Sequence, residues 1–185
     1  MNRRDLFRIG ANGAAALAVA AEPALAQHAH PVNTATTQAA NAPDWKPSVF
    51  DDHQNRTVIA LTELIIPETD TPGAKAALVN RYIDLLLRDG GEPERVQFIA
   101  GLNWLDGYAI RTAAAPFVQL PEASQIQVLE ALDGGGAGLE TGHQYFRSVK
   151  ALTARIYYAT EAGFKELNKG GRVPTGFGCD GKNQE

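Results

Sequence analysis

Large apolar side chains recur along this chain at helical steps, in blocks separated by proline and glycine. Val58, Leu61 and Ile65, with Leu64 beside them, follow the 3.6-residue period. Asp51 and Asp52 precede that block as N-cap candidates, and Pro67 ends it by removing a donor and disfavouring helical geometry at Ile66. Glu68 to Gly73 is a polar turn whose carboxylates and hydroxyls suit capping of the next helix. That second helix is expected from about Ala74 to Asp89, with Leu78, Val79, Tyr82, Ile83 and Leu86 as its apolar face. Gly90-Gly91 stops it, and Glu92-Pro93-Glu94 opens a third, with proline in the first turn where its missing N–H costs nothing. Val96, Ile99, Leu102 and Leu105 mark the third helix and Pro116 closes it. A fourth begins after Leu120-Pro121 and carries Ile126, Leu129 and Leu132. After Gly134 to Gly138, a last long helix is expected from about Leu139 to Asn168, with an interruption near Gly163. Its inward positions would be Phe146, Val149, Ile156, Tyr157, Phe164 and Leu167. No segment alternates with period two, so the class is all-α: one small bundle of about five helices.

The ends of the chain read differently. Residues 27–49 are rich in Ala, Thr, Asn, Gln and Pro, and bury too little to offset their ordering entropy. They read as a flexible leader before a helical domain over residues 50–185, with Trp45 as a docking anchor. From Lys169 onward the chain is glycine-rich and is expected to be irregular. Residues 1–26 read as a twin-arginine export signal. Arg3 and Arg4 precede an alanine-rich apolar run, and Ala24-Leu25-Ala26 supplies the small-residue cleavage site, which Ala24 and Ala26 define. Phe7 stands one place later than the usual pattern. The run is too short and too weakly apolar to span a bilayer. The expected compartment is the periplasm, reached by a pathway that carries proteins already folded.

Of the 185 residues, 21 are acidic and 17 basic, giving a net charge of −4 without any basic stripe. This argues against nucleic acid and anionic membrane as partners. The single cysteine, Cys179, excludes an intrachain disulfide, a structural thiolate zinc site and a Cys-x-x-Cys-His haem attachment.

Candidate chemistry is sparse. Gly134 to Gly138 lacks the lysine and the preceding strand of a phosphate cradle, so it reads as a hinge. His28 and His30 lie in the leader, and a Gln-His-Ala-His start binds copper weakly at best. His53 and His143 have no second ligand at metal spacing. Glu68 and Asp70 form a conceivable carboxylate pair, but capping is the simpler role. No nucleophile–base order is present. The residues alone describe a folded, exported helical protein that works by interaction, with no catalytic, cofactor or metal site of its own.

Two stretches add a resemblance. Leu61-Thr62-Glu63-Leu64-Ile65-Ile66-Pro67-Glu68-Thr69-Asp70-Thr71-Pro72-Gly73-Ala74 closely resembles the opening signature of the gluconate 2-dehydrogenase subunit 3 family. Tyr157 to Leu167 resembles that family's closing helix, Gly178-Cys179 its tail, and Phe117 to Pro121 the connection before its fourth helix. The likeness spans roughly Phe50 to Cys179. It implies a non-catalytic small subunit of a periplasmic sugar, glucoside or sugar-acid dehydrogenase. The large subunit would be a flavoprotein of the glucose–methanol–choline (GMC) oxidoreductase class carrying FAD, exported as a folded passenger on this chain's signal. A cytochrome carrying haem c often receives the electrons in such assemblies. Trp45, Tyr157, Phe177 and Cys179 are the expected residues near the partner, and Cys179 is a candidate for an intersubunit disulfide. Two other readings compete: a free-standing periplasmic binding module, and a small enzyme using the Glu68/Asp70 turn with His53.

Overall fold

The computed structural model describes residues 44–169. Arg3, Arg4, Ala24, Ala26, Phe177 and Cys179 lie outside the described residues. Within them the chain is all-helical, with six α-helices, one 3-10 turn and no strand.

Helix α1, Asp52–Ile65, starts at a reciprocal cap: the Asp51 side chain accepts from Gln54 N at 2.7 Å, and the Gln54 side chain accepts from Asp51 N at 3.0 Å. It buries Val58 and Leu61 completely or nearly so. An elbow, residues 66–78, leads to α2, Val79–Asp89. Helix α3, Glu92–Ala113, ends on Ala114 in the left-handed conformation and is followed by the 3-10 turn Phe117–Gln119. Helix α4 is Glu122–Gly134, α5 is Glu140–Ala159 and α6 is Glu161–Leu167.

Helix α5 is the hub. It packs against α1, α2, α3, α4 and α6, and its Val149, Ile156 and Tyr157 meet Leu61, Ile83, Leu102, Leu105 and Leu132 in one core. Each such fully buried aliphatic side chain stabilises the fold by about 1.5–3 kcal/mol. At one edge Phe50, Phe98 and Tyr145 form an aromatic chain with centroids 5.7 and 5.8 Å apart.

Several expectations are corrected. Helix α2 starts at Val79 rather than Ala74, because residues 74–77 close hydrogen-bonded turns and Leu78 is left-handed at φ 57°. In α3, Val96 is 56 % exposed. A strict step of three turns Val96 about 180° away from Leu105 over nine residues, and the buried row is Phe98, Leu102, Leu105 and Ala109. The same drift leaves Ile126 on the outside of α4 while Val128, Leu129 and Leu132 go in. The last long helix is two helices, broken at Thr160 before Gly163 is reached. The break resets the register, so Phe164 and Leu167 are exposed rather than inward.

Candidate functional site

The elbow after α1 is built by one carboxylate. Glu63 Oε1 accepts from Glu68 N and Oε2 from Lys75 N, both at 2.8 Å, so a single side chain ties the two ends of the turn. Sequence reasoning gave this capping role to Glu68 and Asp70; the structure gives it to Glu63, one turn earlier on α1. Ala74 N returns to Ile66 O at 2.9 Å, which pins the elbow over the end of α1. Gly73 is required by close approach: a Cβ there would stand 2.3 Å from Glu63 Oε1 and 2.6 Å from the Glu68 backbone nitrogen.

The second family-like stretch meets this elbow. Tyr157 is fully buried, and its hydroxyl donates to Pro72 O at 2.6 Å. Tyr157, placed inward by its helical spacing and also expected near the partner, is a core residue whose polar tip locks the elbow to α5. Immediately after it, the Thr160 hydroxyl donates to Tyr157 O at 2.6 Å and accepts from Gly163 N at 3.2 Å, ending α5 and capping α6. Gly163 again answers to close approach, since a Cβ would fall 2.0 Å from Tyr157 O.

Between these parts lies an open groove of about 1300 Å³. The elbow forms one lip, α2 the floor, and the end of α5 with α6 the opposite wall. Tyr82 and Leu86 of α2 line it, with Leu78 at the helix's N-cap. They were expected in the core, but Leu78 and Tyr82 are only half-buried and Leu86 is 43 % exposed. The reason sits on the other side of α2. Asp84, fully buried, accepts from Ser48 N at 2.8 Å, Val49 N at 2.9 Å and Phe50 N at 3.1 Å. Asn80, also buried, donates to Asn55 Oδ1 at 2.9 Å. These contacts place two satisfied polar side chains beside Val79, Ile83 and Leu87 on the buried face, and Tyr82 and Leu86 are left facing the groove.

The same clamp shows that the last residues assigned to the leader, Ser48 and Val49, are bound to α2. Trp45 lies with its ring 5.1 Å from the Arg81 guanidinium, also on α2.

Charged groups rim the groove, and nearly all are committed. Lys169 holds Asp70 at 2.9 Å and Glu166 at 3.0 Å, joining the end of α6 to the elbow. Asp70 is held below the ordinary carboxylate value, first by the Lys169 hydrogen bond and then by the Thr69 hydroxyl; Lys169 is correspondingly raised. Lys165 pairs with Glu161, and Asp89 with Arg88. Arg155 is exposed on the α5 wall and has no ion pair among the described residues.

A separate polar cluster lies elsewhere. His53 Nε2 is 2.6 Å from Asp106 Oδ2, and Asp106 Oδ1 accepts from Phe117 N at 2.9 Å, so α1, α3 and the 3-10 turn are joined. The Tyr145 hydroxyl is buried without a hydrogen-bond partner among the described residues; burial, then Asp106, pushes its pKa far up, and it stays neutral. His53 is thus engaged with Asp106 and Asp70 with Lys169. The structure gives these two side chains separate partners. His143 Nδ1 meets Leu132 O at 2.8 Å, which requires the proton on Nδ1. No group of three His, Cys, Asp or Glu side chains suited to a metal ion occurs among the described residues, and no helix among them is long and apolar enough to cross a membrane.

A family model, gluconate 2-dehydrogenase subunit 3, matches residues 52–177. Neither the curated proteins nor the solved structures contain a significant match.

Proposed function

The chain belongs to the gluconate 2-dehydrogenase subunit 3 family, and from that premise we propose that it is the non-catalytic small subunit of a periplasmic flavin-dependent dehydrogenase. Its work is to carry a folded GMC-type large subunit through the twin-arginine pathway and to stabilise it afterwards. In this reading the large subunit holds FAD and oxidises a sugar, glucoside or sugar acid. A c-type cytochrome takes the electrons.

The observation that carries the reading is the family match across residues 52–177, which takes in all six helices of the described residues. The uncovered apolar row on α2 supports it, because a partner subunit gives such a row a reason to stay outside. Arg3 and Arg4 ahead of the alanine-rich run support the export role.

The test is co-expression with the cognate large subunit, with and without the double substitution Arg3→Lys/Arg4→Lys. Flavin-linked dehydrogenase activity is then measured in periplasmic and cytoplasmic fractions. Activity that reaches the periplasm only with both arginines supports the escort role. Periplasmic activity that ignores the substitution, or ignores loss of this chain altogether, overturns it.

A further inference from the structure

The groove makes a more specific statement about how such a partner would be held. Tyr82 and Leu86 stand one turn apart on α2 and form an apolar floor about 6 Å long, which Leu78, at the helix's N-cap, continues toward the elbow. A floor of that kind, walled by a second helix, matches the way an amphipathic helix is received: its apolar residues at i, i+4 and i+7 interleave with those of the floor. The rim adds a charge preference. Five of the six charged side chains lining the groove already have partners, and Arg155 does not among the described residues. An exposed guanidinium beside an apolar floor selects an occupant that brings a carboxylate to it.

We propose that the groove between α2, the elbow and α5–α6 receives an amphipathic helix of the dehydrogenase large subunit, with apolar anchors on the Leu78–Tyr82–Leu86 stripe and an acidic side chain on Arg155. The proposal rests on the reading of the chain as a small subunit and places the contact on that reading's map. Leu86 and Arg155 are exposed, so docking through them can be separated from folding by mutation.

The experiment measures affinity of the full-length chain for the cognate large subunit, by interferometry or co-purification. Wild type is compared with Leu86→Glu, Tyr82→Glu, Arg155→Glu and, as an exposed apolar control outside the groove, Val96→Glu. Far-UV dichroism and melting verify that each variant is folded. Leu86→Glu and Tyr82→Glu are expected to weaken binding about tenfold or more, since each removes a large apolar anchor. Arg155→Glu is expected to slow association and to reduce its dependence on salt. Val96→Glu should bind as wild type does.

Wild-type binding that survives Leu86→Glu and Tyr82→Glu overturns the groove as the docking site while leaving the small-subunit reading intact. No binding by the wild type overturns both. A self-associating wild type whose dimer is dispersed by Leu86→Glu assigns the groove to a second copy and overturns the proposal. Accessibility supplies the remaining discrimination. In the isolated full-length chain carrying Cys179→Ser and Leu86→Cys, rapid thiol labelling supports a vacant groove. Slow labelling assigns the groove to a segment of this same chain and overturns the proposal.

Discussion

The two faces of α2 differ in what they bury and what they expose: Val79, Ile83 and Leu87 go into the core, while Tyr82 and Leu86 face the groove. On the inner face a carboxylate and an amide are buried, Asp84 and Asn80, and both are hydrogen-bonded, Asp84 to three backbone N–H groups at once. On the outer face Leu86 stands 43 % exposed beside half-buried Leu78 and Tyr82. A buried carboxylate is tolerated only when its acceptor capacity is filled. Here it fastens the chain that precedes α1 onto α2. An exposed leucine needs no compensation on one helix, but a stripe of apolar side chains in an open groove invites a cover. The inner face is therefore committed to folding, and the outer face is the one that the proposal assigns to the large subunit. A polarity pattern alone finds Val79 and Ile83 on the inner face but not the two polar side chains buried beside them.

The sharpest way to break that contrast is to remove the inner clamp. Asp84→Ala leaves the N–H groups of Ser48, Val49 and Phe50 without their acceptor in a buried setting, and is expected to cost about 3 kcal/mol or more. Denaturant unfolding would measure it. Asp84→Asn, which keeps one acceptor oxygen, should recover part of the loss. If Asp84→Ala melts like wild type, the inner face is not the committed one.

Next in size is the joint between the groove's walls. Gly163→Ala forces a Cβ to within 2.0 Å of Tyr157 O, and backbone cannot move aside as a side chain can. A loss of about 2 kcal/mol is expected, read as faster hydrogen exchange in α6 as well as lower overall stability. Tyr157→Phe keeps the buried ring and removes only the donor to Pro72 O, for about 1 kcal/mol. Because it unlocks the elbow from α5, it should also loosen the groove's lip, visible as faster exchange at Ala74 N. The outer face should behave in the opposite sense. Leu86→Glu is expected to change stability by no more than about 0.5 kcal/mol, while the proposal has it weaken binding to the large subunit about tenfold or more.

Much of the bundle was legible in the sequence because its punctuation is strong. Asp51, Pro67, Gly90-Gly91, Pro93 and Pro116 place helix ends wherever the chain sits, since caps and prolines act locally. Facing was less legible. Val96, Ile126, Phe164 and Leu167 fit helical spacing in the sequence, yet they stand outside. Which side of an evenly apolar helix goes in is decided by neighbours distant in the chain. The burial of Asp84 is satisfied by residues 34 to 36 positions earlier, which offer it their N–H groups. The site shows the same division. The Ile66-Pro67 stop and the threonine-rich turn were visible, whereas Glu63 as the residue that ties the elbow was not, because its partners lie 5 and 12 positions away. One signal could have flagged Asp84: a lone carboxylate inside the row Ile83-Asp84-Leu85-Leu86-Leu87 must be satisfied or exposed, and four apolar neighbours argue against exposure. Tyr157 was visible as an aromatic but not as a lock, since Pro72 O is 85 residues away.

The smallest expected effect concerns the bridge over the groove's mouth, and its pH dependence has a definite sign. Lys169 and the Thr69 hydroxyl hold Asp70 below the ordinary carboxylate value. Whatever the bridge contributes is thus present above about pH 4, the usual aspartate range, and disappears as pH falls through the lower folded value. Lys169, raised by Asp70 and Glu166, sets the other limit: its contribution is present below about pH 10 and is lost as pH rises past the folded value. Across neutral pH the contribution is flat. Both side chains are half or more exposed, 77 % for Asp70 and 50 % for Lys169, so salt screens the pair. Asp70→Asn should then melt slightly below wild type at neutral pH and low salt, and together with it at acid pH or in high salt. A difference that persists in high salt would mean that the elbow depends on Asp70 for shape and not for charge. The mouth would then belong to the committed side of the molecule, beside Asp84, and the uncommitted surface would shrink to the apolar stripe and Arg155.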